Sequence, residues 1–437
     1  MRKNLFKKVL ALTLASTMAF SMAGCGSKGG SSDAKNDDGT ITLNVWHQWS
    51  NDTNELKGKY EEAVKAYEKE NQGVKIKTET LDTEAYKTKI NAEFAGDAKG
   101  IDVFYWWGAG TAKKLVDAGK VMALDDYVTD DVKSKILEGS TSAFEFDGKL
   151  YSVPMFSWYM TLFCNKTMFD KAGATLPTTY DELVDAVKKL KKLDGVTPMA
   201  AGAKDGWNAA FVYQALALRE VGATGVNEML SGNKEFGDEG FKKAAQKVSD
   251  LYEMGAFGDN PLEQGNDDAN AAFENGKAAM RLMGSWFANN VYTDDAATIK
   301  PEEVVALKIP TIADGKGEAT DYCGGFVESF WVNNNTKYKE EAAKFCIYIN
   351  EKMGVASYET GSGFSGWTTP ADESNLNPLF IQIKDLLAEG KQGVLAWDTS
   401  LESEPAAVHN EQVQTLFADG ADIDAFIDEH KAAINGK

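Results

Sequence analysis

Tryptophan next to glycine, serine or asparagine is an unusual setting for a large apolar ring, and this chain repeats it. Of its 10 Trp, those in Trp106-Trp107-Gly108, Gly206-Trp207-Asn208, Ser285-Trp286 and Gly366-Trp367 fall at loops or element ends instead of along a helical stripe. A flat ring held there can stack on a patch of C–H groups, while Asp, Asn, Gln or Lys beside it direct hydrogen bonds to a surrounding rim of hydroxyls. A sugar ring presents both surfaces. Asn51, Asp52, Asp82, Lys204, Asp205 and Asp398 are the rim candidates at element ends, although the same residue types also cap helices or sit solvated in loops. Trp158 and Trp331 lie within apolar runs and read as core.

Other chemistries find less support. There is no nucleophile elbow, no HExxH and no phosphate loop. A glycoside hydrolase would need two carboxylates facing each other across the scissile bond, and a chain with 66 acidic residues leaves such a pair open as an alternative. Three histidines and four cysteines, all scattered, make a poor metal site, and no cofactor is expected. His47 sits at a strand end; His409 and His430, among polar helical neighbours, read as solvated faces. A polyamine is a second alternative, because aromatics combined with carboxylates hold ammonium groups through cation–π contact. The formal charge of −20 over 437 residues repels phosphate backbones and argues against nucleic acid. No internal repeat suggests an adhesive or structural array.

These side chains need a scaffold, and the apolar periodicity supplies one. Ile41, Leu43 and Val45 alternate with polar residues in a strand ending at Trp46, and Leu56, Tyr60, Ala63, Val64 and Tyr67 follow at helical spacing. Val74–Leu81 and Ile101–Trp106 read as further strands, with helices around Tyr86–Phe94 and Thr111–Ala118. That alternation predicts parallel strands joined by right-handed crossovers, with ligands beyond their carboxyl ends. After Tyr151 helices dominate: Asp181–Leu193, Ala209–Glu220, Phe241–Met254 and Glu340–Lys352. Val304–Ile309 and Phe326–Val332 read as late returns to the first sheet, which predicts two lobes with hinges near Tyr151–Pro154, Val304–Pro310 and Trp367–Ala371.

The first forty residues concern delivery. Arg2, Lys3, Lys7 and Lys8 precede the apolar and small run Val9–Phe20, which is shorter than the roughly 20 residues of a membrane span. Met22-Ala23-Gly24-Cys25 resembles a bacterial lipobox with Met in place of the usual Leu, and would leave a diacylated Cys25 as the first mature residue. An ordinary signal peptide cut at a small residue is the alternative. Gly26–Thr40 reads as a flexible tether. Removing residues 1–24 leaves 42 basic against 66 acidic residues, a charge of −24. Cys164, Cys323 and Cys346 read as buried small apolar residues.

Three segments carry a resemblance: Glu145–Phe169 (EFDGKLYSVPMFSWYMTLFCNKTMF), Asp102–Leu124 (DVFYWWGAGTAKKLVDAGKVMAL) and Met280–Trp286. With the lipobox, the chain resembles the family 1 extracellular solute-binding lipoproteins of ABC importers, of the maltose- and oligosaccharide-binding type, over nearly all of residues 40–437. The resemblance implies an α/β, two-lobed periplasmic-binding-protein-like fold that closes on a carbohydrate. The lobes would be 41–152 with 304–368, and 153–303 with 369–437. It implies a lipid-anchored, non-enzymatic monomer on the outer face of the bacterial membrane, delivering its sugar to the permease subunits. By position, Trp46, His47, Gln48, Trp49, Asn51 and Asp52 would form a hydrogen-bonding loop, and Trp106 and Trp107 a stacking platform with Trp106 facing the ligand. Trp207 and Trp286 would stack from the other lobe, with Tyr159, Trp367, Trp397 and Asp398 near the cleft. Gly324 and Gly325 would form a turn where ligand approaches backbone amides.

Overall fold

A computed structural model describes residues 39–51, 55–293 and 297–436. The lipobox with Cys25, the signal segment, nearly all of the tether and Asp52 lie outside them. Strands β1 (Ile41–His47), β2 (Val74–Thr80) and β3 (Val103–Trp107) run parallel, as the strand–helix alternation predicts. A short hairpin, β4 (Glu145–Phe146) and β5 (Lys149–Leu150), precedes the long β6 (Phe156–Asn165), which begins a second sheet. There β7 (Thr197–Ala200) pairs with β8 (Ala278–Gly284), and β8 lies antiparallel to β6. β9 (Val304–Leu307) and β10 (Asp321–Phe326) also pair with β6, whereas β11 (Glu328–Val332) returns to lie antiparallel to β3. β12 (Phe364–Ser365) pairs with the start of β6, and β13 (Gln392–Val394) runs parallel to β10. The sheet orders are therefore β11-β3-β1-β2 and β13-β10-β6-β8-β7.

Two expectations change here. Val304–Leu307 does not return to the first sheet: Val304 and Ala306 point into the second lobe's core, and the strand pairs with β6 at Cys164 and Asn165. Residues 304–326 therefore belong to the second lobe, and the middle crossing lies about twenty residues later than expected. Phe326–Val332 is not one strand either. It splits at Val327, so that β10 ends in one sheet and β11 begins in the other.

The three crossings lie side by side. Met155 donates its N–H to Glu328 O at 3.2 Å, and Gly366 donates to Met155 O at 3.0 Å. The Trp367 indole donates to Pro154 O at 2.7 Å.

Each lobe has its own apolar core. The first packs Leu43, Val45, Phe104, Phe330 and Trp331 between its sheet and helices, including Glu55–Glu70 and Lys339–Glu359. The second packs Leu162, Phe163, Met280 and the buried faces of helices Tyr180–Leu190, Gly206–Leu230 and Glu239–Glu253. Local chemistry sets the helix starts. Thr179 and Glu182 form a reciprocal capping box, and Asp82 accepts the Ala85 N–H at 3.1 Å to open helix Thr83–Ala95.

His409 and His430 are not solvated. Both are 0% exposed, packed with Tyr213, Phe236, Phe426 and Trp397, with His409 Nδ1 at 2.9 Å from His430 Nε2. One proton arrangement satisfies the whole chain of groups. Trp397 N–H donates to Gln214 Oε1, Gln214 Nε2 to His409 Nε2, His409 Nδ1 to His430 Nε2, and His430 Nδ1 to Phe426 O. Cys164, Cys323 and Cys346 are buried and free. Among the described residues no helix is long and apolar enough to cross a membrane.

Candidate functional site

Where the lobes face each other, tryptophans converge. Trp107, at the end of β3, is only partly buried, and its ring lies 5.2 Å from Tyr105 and 5.5 Å from Trp106, edge-on to both. Opposite it, Trp207 opens the Gly206–Leu230 helix and Trp286 follows β8; both are partly buried, with centroids 6.5 Å apart. Trp158 lies beneath them, 5.1 Å from Trp286 and stacked at 5.3 Å on Phe211. Gly284 makes this shelf possible, because a Cβ there would meet the Trp286 ring at 2.0 Å. The indole lies flat over a residue with no side chain to lift it.

Charge enters from the first lobe on helix Thr83–Ala95. Lys87 Nζ sits 5.1 Å from the Trp107 centroid and 5.8 Å from that of Trp207, so one ammonium addresses a ring from each lobe. It also pairs with Glu84 at 3.0 Å. Asp205 and Asp398 face this pair from the second lobe, and burial raises both carboxyl pKa values against the pull of Lys87. The lobes touch directly nearby. Thr111 Oγ1 donates toward Asp398 O at 3.3 Å, and a Cβ on Gly110 would meet Ser400 O at 2.2 Å.

A buried cation braces the shelf. Arg281, 1% exposed on β8, donates to Asn270 Oδ1, Ala200 O, Ala201 O, Asn208 Oδ1 and Asn266 Oδ1 at 2.7–3.2 Å. Removing its charge from water lowers its pKa to about 9. Asn208 and Asn266 are thereby fixed beside Trp207 and Asp205, Asn266 also giving its N–H to Asp205 Oδ2 at 2.6 Å. Asn208 Nδ2 and Asn410 Oδ1 remain buried with no protein partner.

Several sequence candidates lie elsewhere. His47 and Trp49, 1% and 5% exposed, are core residues: they pack with Tyr60 and Phe330, and the His47 pKa falls to about 3 on burial. Trp46 is also buried in that core, with Lys89 Nζ 4.5 Å above its ring. Gln48 is partly buried and Asn51 exposed. Asp82 is spent on its helix cap. Trp106 is 5% exposed and faces its own lobe, so strand alternation turns Trp107, not Trp106, toward the other lobe. Tyr159 points away from Trp158, packing edge-on against Tyr322 and Phe364 at 5.2 Å. Lys204 is exposed, giving its N–H to Gln264 O.

Gly324 serves strand packing, since a Cβ there would meet Trp158 O at 2.0 Å, and Gly325 fits against Leu395. Trp367 is a hinge residue locked to Pro154, and Trp397 is 1% exposed among Tyr213, Phe241 and His409.

Sequence reasoning missed Glu84, Lys87 and Glu328, whereas Trp158, 3% exposed, is core as expected. The signal for Glu328 was present, a lone acid inside the apolar run FVESFWV. Among the described residues no group of acids, histidines and cysteines could hold a metal. A surface hollow of about 520 Å³, lined by Thr224, Asn227, Gln392 and Leu395 among others, shares none of the clustered tryptophans.

A family model for bacterial extracellular solute-binding proteins matches residues 50–355. The chain is 24% identical over 368 residues to a multiple sugar-binding protein of Streptococcus mutans serotype c, covering 81% of this chain and 80% of that one. Among solved structures, one from work on xylan utilization by the thermophilic bacterium Caldanaerobius polysaccharolyticus has 36% identity and a TM-score of 0.86. It covers 90% of this chain and 100% of that one. A chitin oligosaccharide binding protein has 21% identity and a TM-score of 0.81, covering 91% and 98%. The α/β architecture is thus that of the solute-binding proteins.

Proposed function

The chain belongs to the bacterial extracellular solute-binding protein family, and from that premise we propose that it captures an oligosaccharide between its lobes and hands it to the permease of an ABC importer. One observation carries this reading: Trp107 of the first lobe faces Trp207 and Trp286 of the second, with Asp205 and Asp398 at the rim. The rings suit the C–H faces of sugar units, and the unpartnered Asn208 Nδ2 and Asn410 Oδ1 suit their hydroxyls. The relative concerned with xylan utilization makes xylo-oligosaccharides the first probe. The family's binding function, with no catalytic role, fits a site that stacks and hydrogen-bonds without a paired nucleophile.

Calorimetry with xylotetraose, chitotetraose and mannotriose tests the proposal, and a wild-type protein that binds none of them would refute it. A polyamine is the second reading, because the Trp107–Trp207 pair already holds the ammonium of Lys87. Spermidine binding in the absence of any sugar binding would favour it. Closure follows from the three crossings, and X-ray scattering should give a smaller radius of gyration under saturating sugar. An unchanged radius would argue against a moving cleft.

We also propose lipid anchoring through Cys25, with the glycine- and serine-rich segment as tether. Cys25→Ser should move the protein from the membrane fraction to the medium with unchanged sugar affinity. Retention in the membrane without detergent would overturn the anchor.

A further inference from the structure

Glu328 is the first residue after the chain passes from the second sheet to the first. Its place is fixed from both sides: Gly108 donates to Val327 O at 2.7 Å and Met155 to Glu328 O at 3.2 Å. In the antiparallel register Glu328 lies directly opposite Trp107, so the two side chains share a face of the sheet. The indoles of Trp107, from one lobe, and of Trp158, from the other, lie close enough to the carboxyl group to favour its charged form. Glu328 is 6% exposed, and its Oε2 is buried with no partner.

A buried carboxyl with one oxygen unpaired must resolve that cost. Ionised, it would place a charge out of water, and the charged group it feels is another acid, Asp398. Tyr105 packs edge-on to Trp107 and feels Glu328 in turn, while Lys87 lies beyond the Trp107 ring. Burial drives the pKa well above the usual carboxylate range and so favours the neutral acid. In the neutral acid one oxygen carries the proton, and a proton on the unpartnered Oε2 is a strong donor in search of an acceptor. A carboxylic acid kept neutral to donate a hydrogen bond is a known device in apolar sites.

We propose that Glu328 contacts the ligand as a neutral acid, its Oε2–H donating to a hydroxyl or ring oxygen of the sugar held between Trp107 and the Trp207–Trp286 shelf. This builds on the oligosaccharide reading of the cleft. It also selects for ligand chemistry: an oxygen acceptor is rewarded at this spot, whereas a donor such as an ammonium meets an O–H.

The test uses the mature chain with xylotetraose at pH 7, comparing wild type, Glu328→Gln and Glu328→Met by calorimetry. Gln keeps both halves of the neutral acid's pattern, a carbonyl oxygen to accept and an N–H to donate. Its affinity should stay within about threefold of wild type, while Met should lose about tenfold or more. Infrared difference spectra should show a protonated-carboxyl band that shifts on sugar addition and is absent in Glu328→Gln. A loss of tenfold or more in the Gln variant would mean that an ionised acceptor is needed, and would overturn the proposal. Unchanged affinity in the Met variant would assign the carboxyl to the hinge alone and would overturn it too. If the Met variant fails to fold, the Gln affinity and the infrared band decide. A wild type that binds no glycan refutes the sugar reading itself, before any Glu328 variant is compared.

Discussion

Trp49 and Trp286 each stand two residues beyond the end of a strand, β1 and β8, yet one is core and the other faces the opposite lobe. Around Trp49 the first lobe supplies His47, Tyr60, Tyr105 and Phe330, with ring centroids 5.1–6.3 Å away. That is enough apolar surface to fold the ring inward. Trp286 has Trp158 on its inner side, but it lies on Gly284 and keeps an edge free toward Trp207. A tryptophan's position after a strand does not decide its role; what its own lobe offers within about 6 Å does.

The largest effect should come from breaking the inward cluster. Trp49→Ala removes a buried ring and should cost about 3–5 kcal/mol of stability, roughly a 10 °C fall in Tm by calorimetry, with sugar affinity nearly unchanged. A large affinity loss at constant Tm would erase the contrast between the two regions.

Trp286→Ala should do the reverse. Affinity should fall by about 2 kcal/mol, more than tenfold, with Tm moving only a few degrees. Titration calorimetry and melting curves on the same preparation read both quantities.

Acid sharpens the contrast further. Burial lowers the His47 pKa to about 3 and that of His430 to about 4, against about 6.5 for an exposed histidine. Below pH 6.5 the unfolded chain takes protons that the folded histidines refuse. Stability should therefore be full above that pH and fall by roughly 1.4 kcal/mol per pH unit per histidine toward the folded values. His47→Phe should flatten this slope in a Tm–pH series; an unaltered slope would exclude His47 as a contributor. The smallest change is expected from Lys87→Met, a few-fold shift in sugar affinity, since a cation–π contact of a partly exposed ammonium is worth about 0.5–1 kcal/mol. Its sign reports whether the ammonium helps the ligand or competes with it.

The parallel strands of the first lobe and the principal helices were legible because their periodicity is local. The expected helix end at Glu220 falls just before Gly222, the one residue with non-helical angles inside Gly206–Leu230. What stayed hidden depends on partners distant in sequence. His409 sits among polar neighbours along the chain, but its hydrogen-bond partner Gln214 lies 195 residues away. Val304–Leu307 had two sheets to join, and only the free side of β6 decides between them. Strand alternation required Trp106 and Trp107 to face opposite ways; which one faces the cleft depends on the side of the sheet that the second lobe approaches, a tertiary fact. Trp207 and Trp286 were found because glycine and serine beside a large ring are themselves local signals.

The free thiols give the molecule built-in clocks. Cys346, its Sγ donating to Phe330 O at 3.0 Å, belongs to the first lobe, while Cys164 on β6 belongs to the second. Burial pushes both pKa values far up, so neither reacts until its surroundings open and a thiolate can form. In a Cys25→Ser, Cys323→Ser background, the rates at which a disulfide reagent captures the two thiols time the opening of each lobe separately. Because the chain threads between the lobes three times, equal rates would mean that the hinge welds them into one cooperative unit. Unequal rates would mean that each lobe can melt while its neighbour keeps its shape.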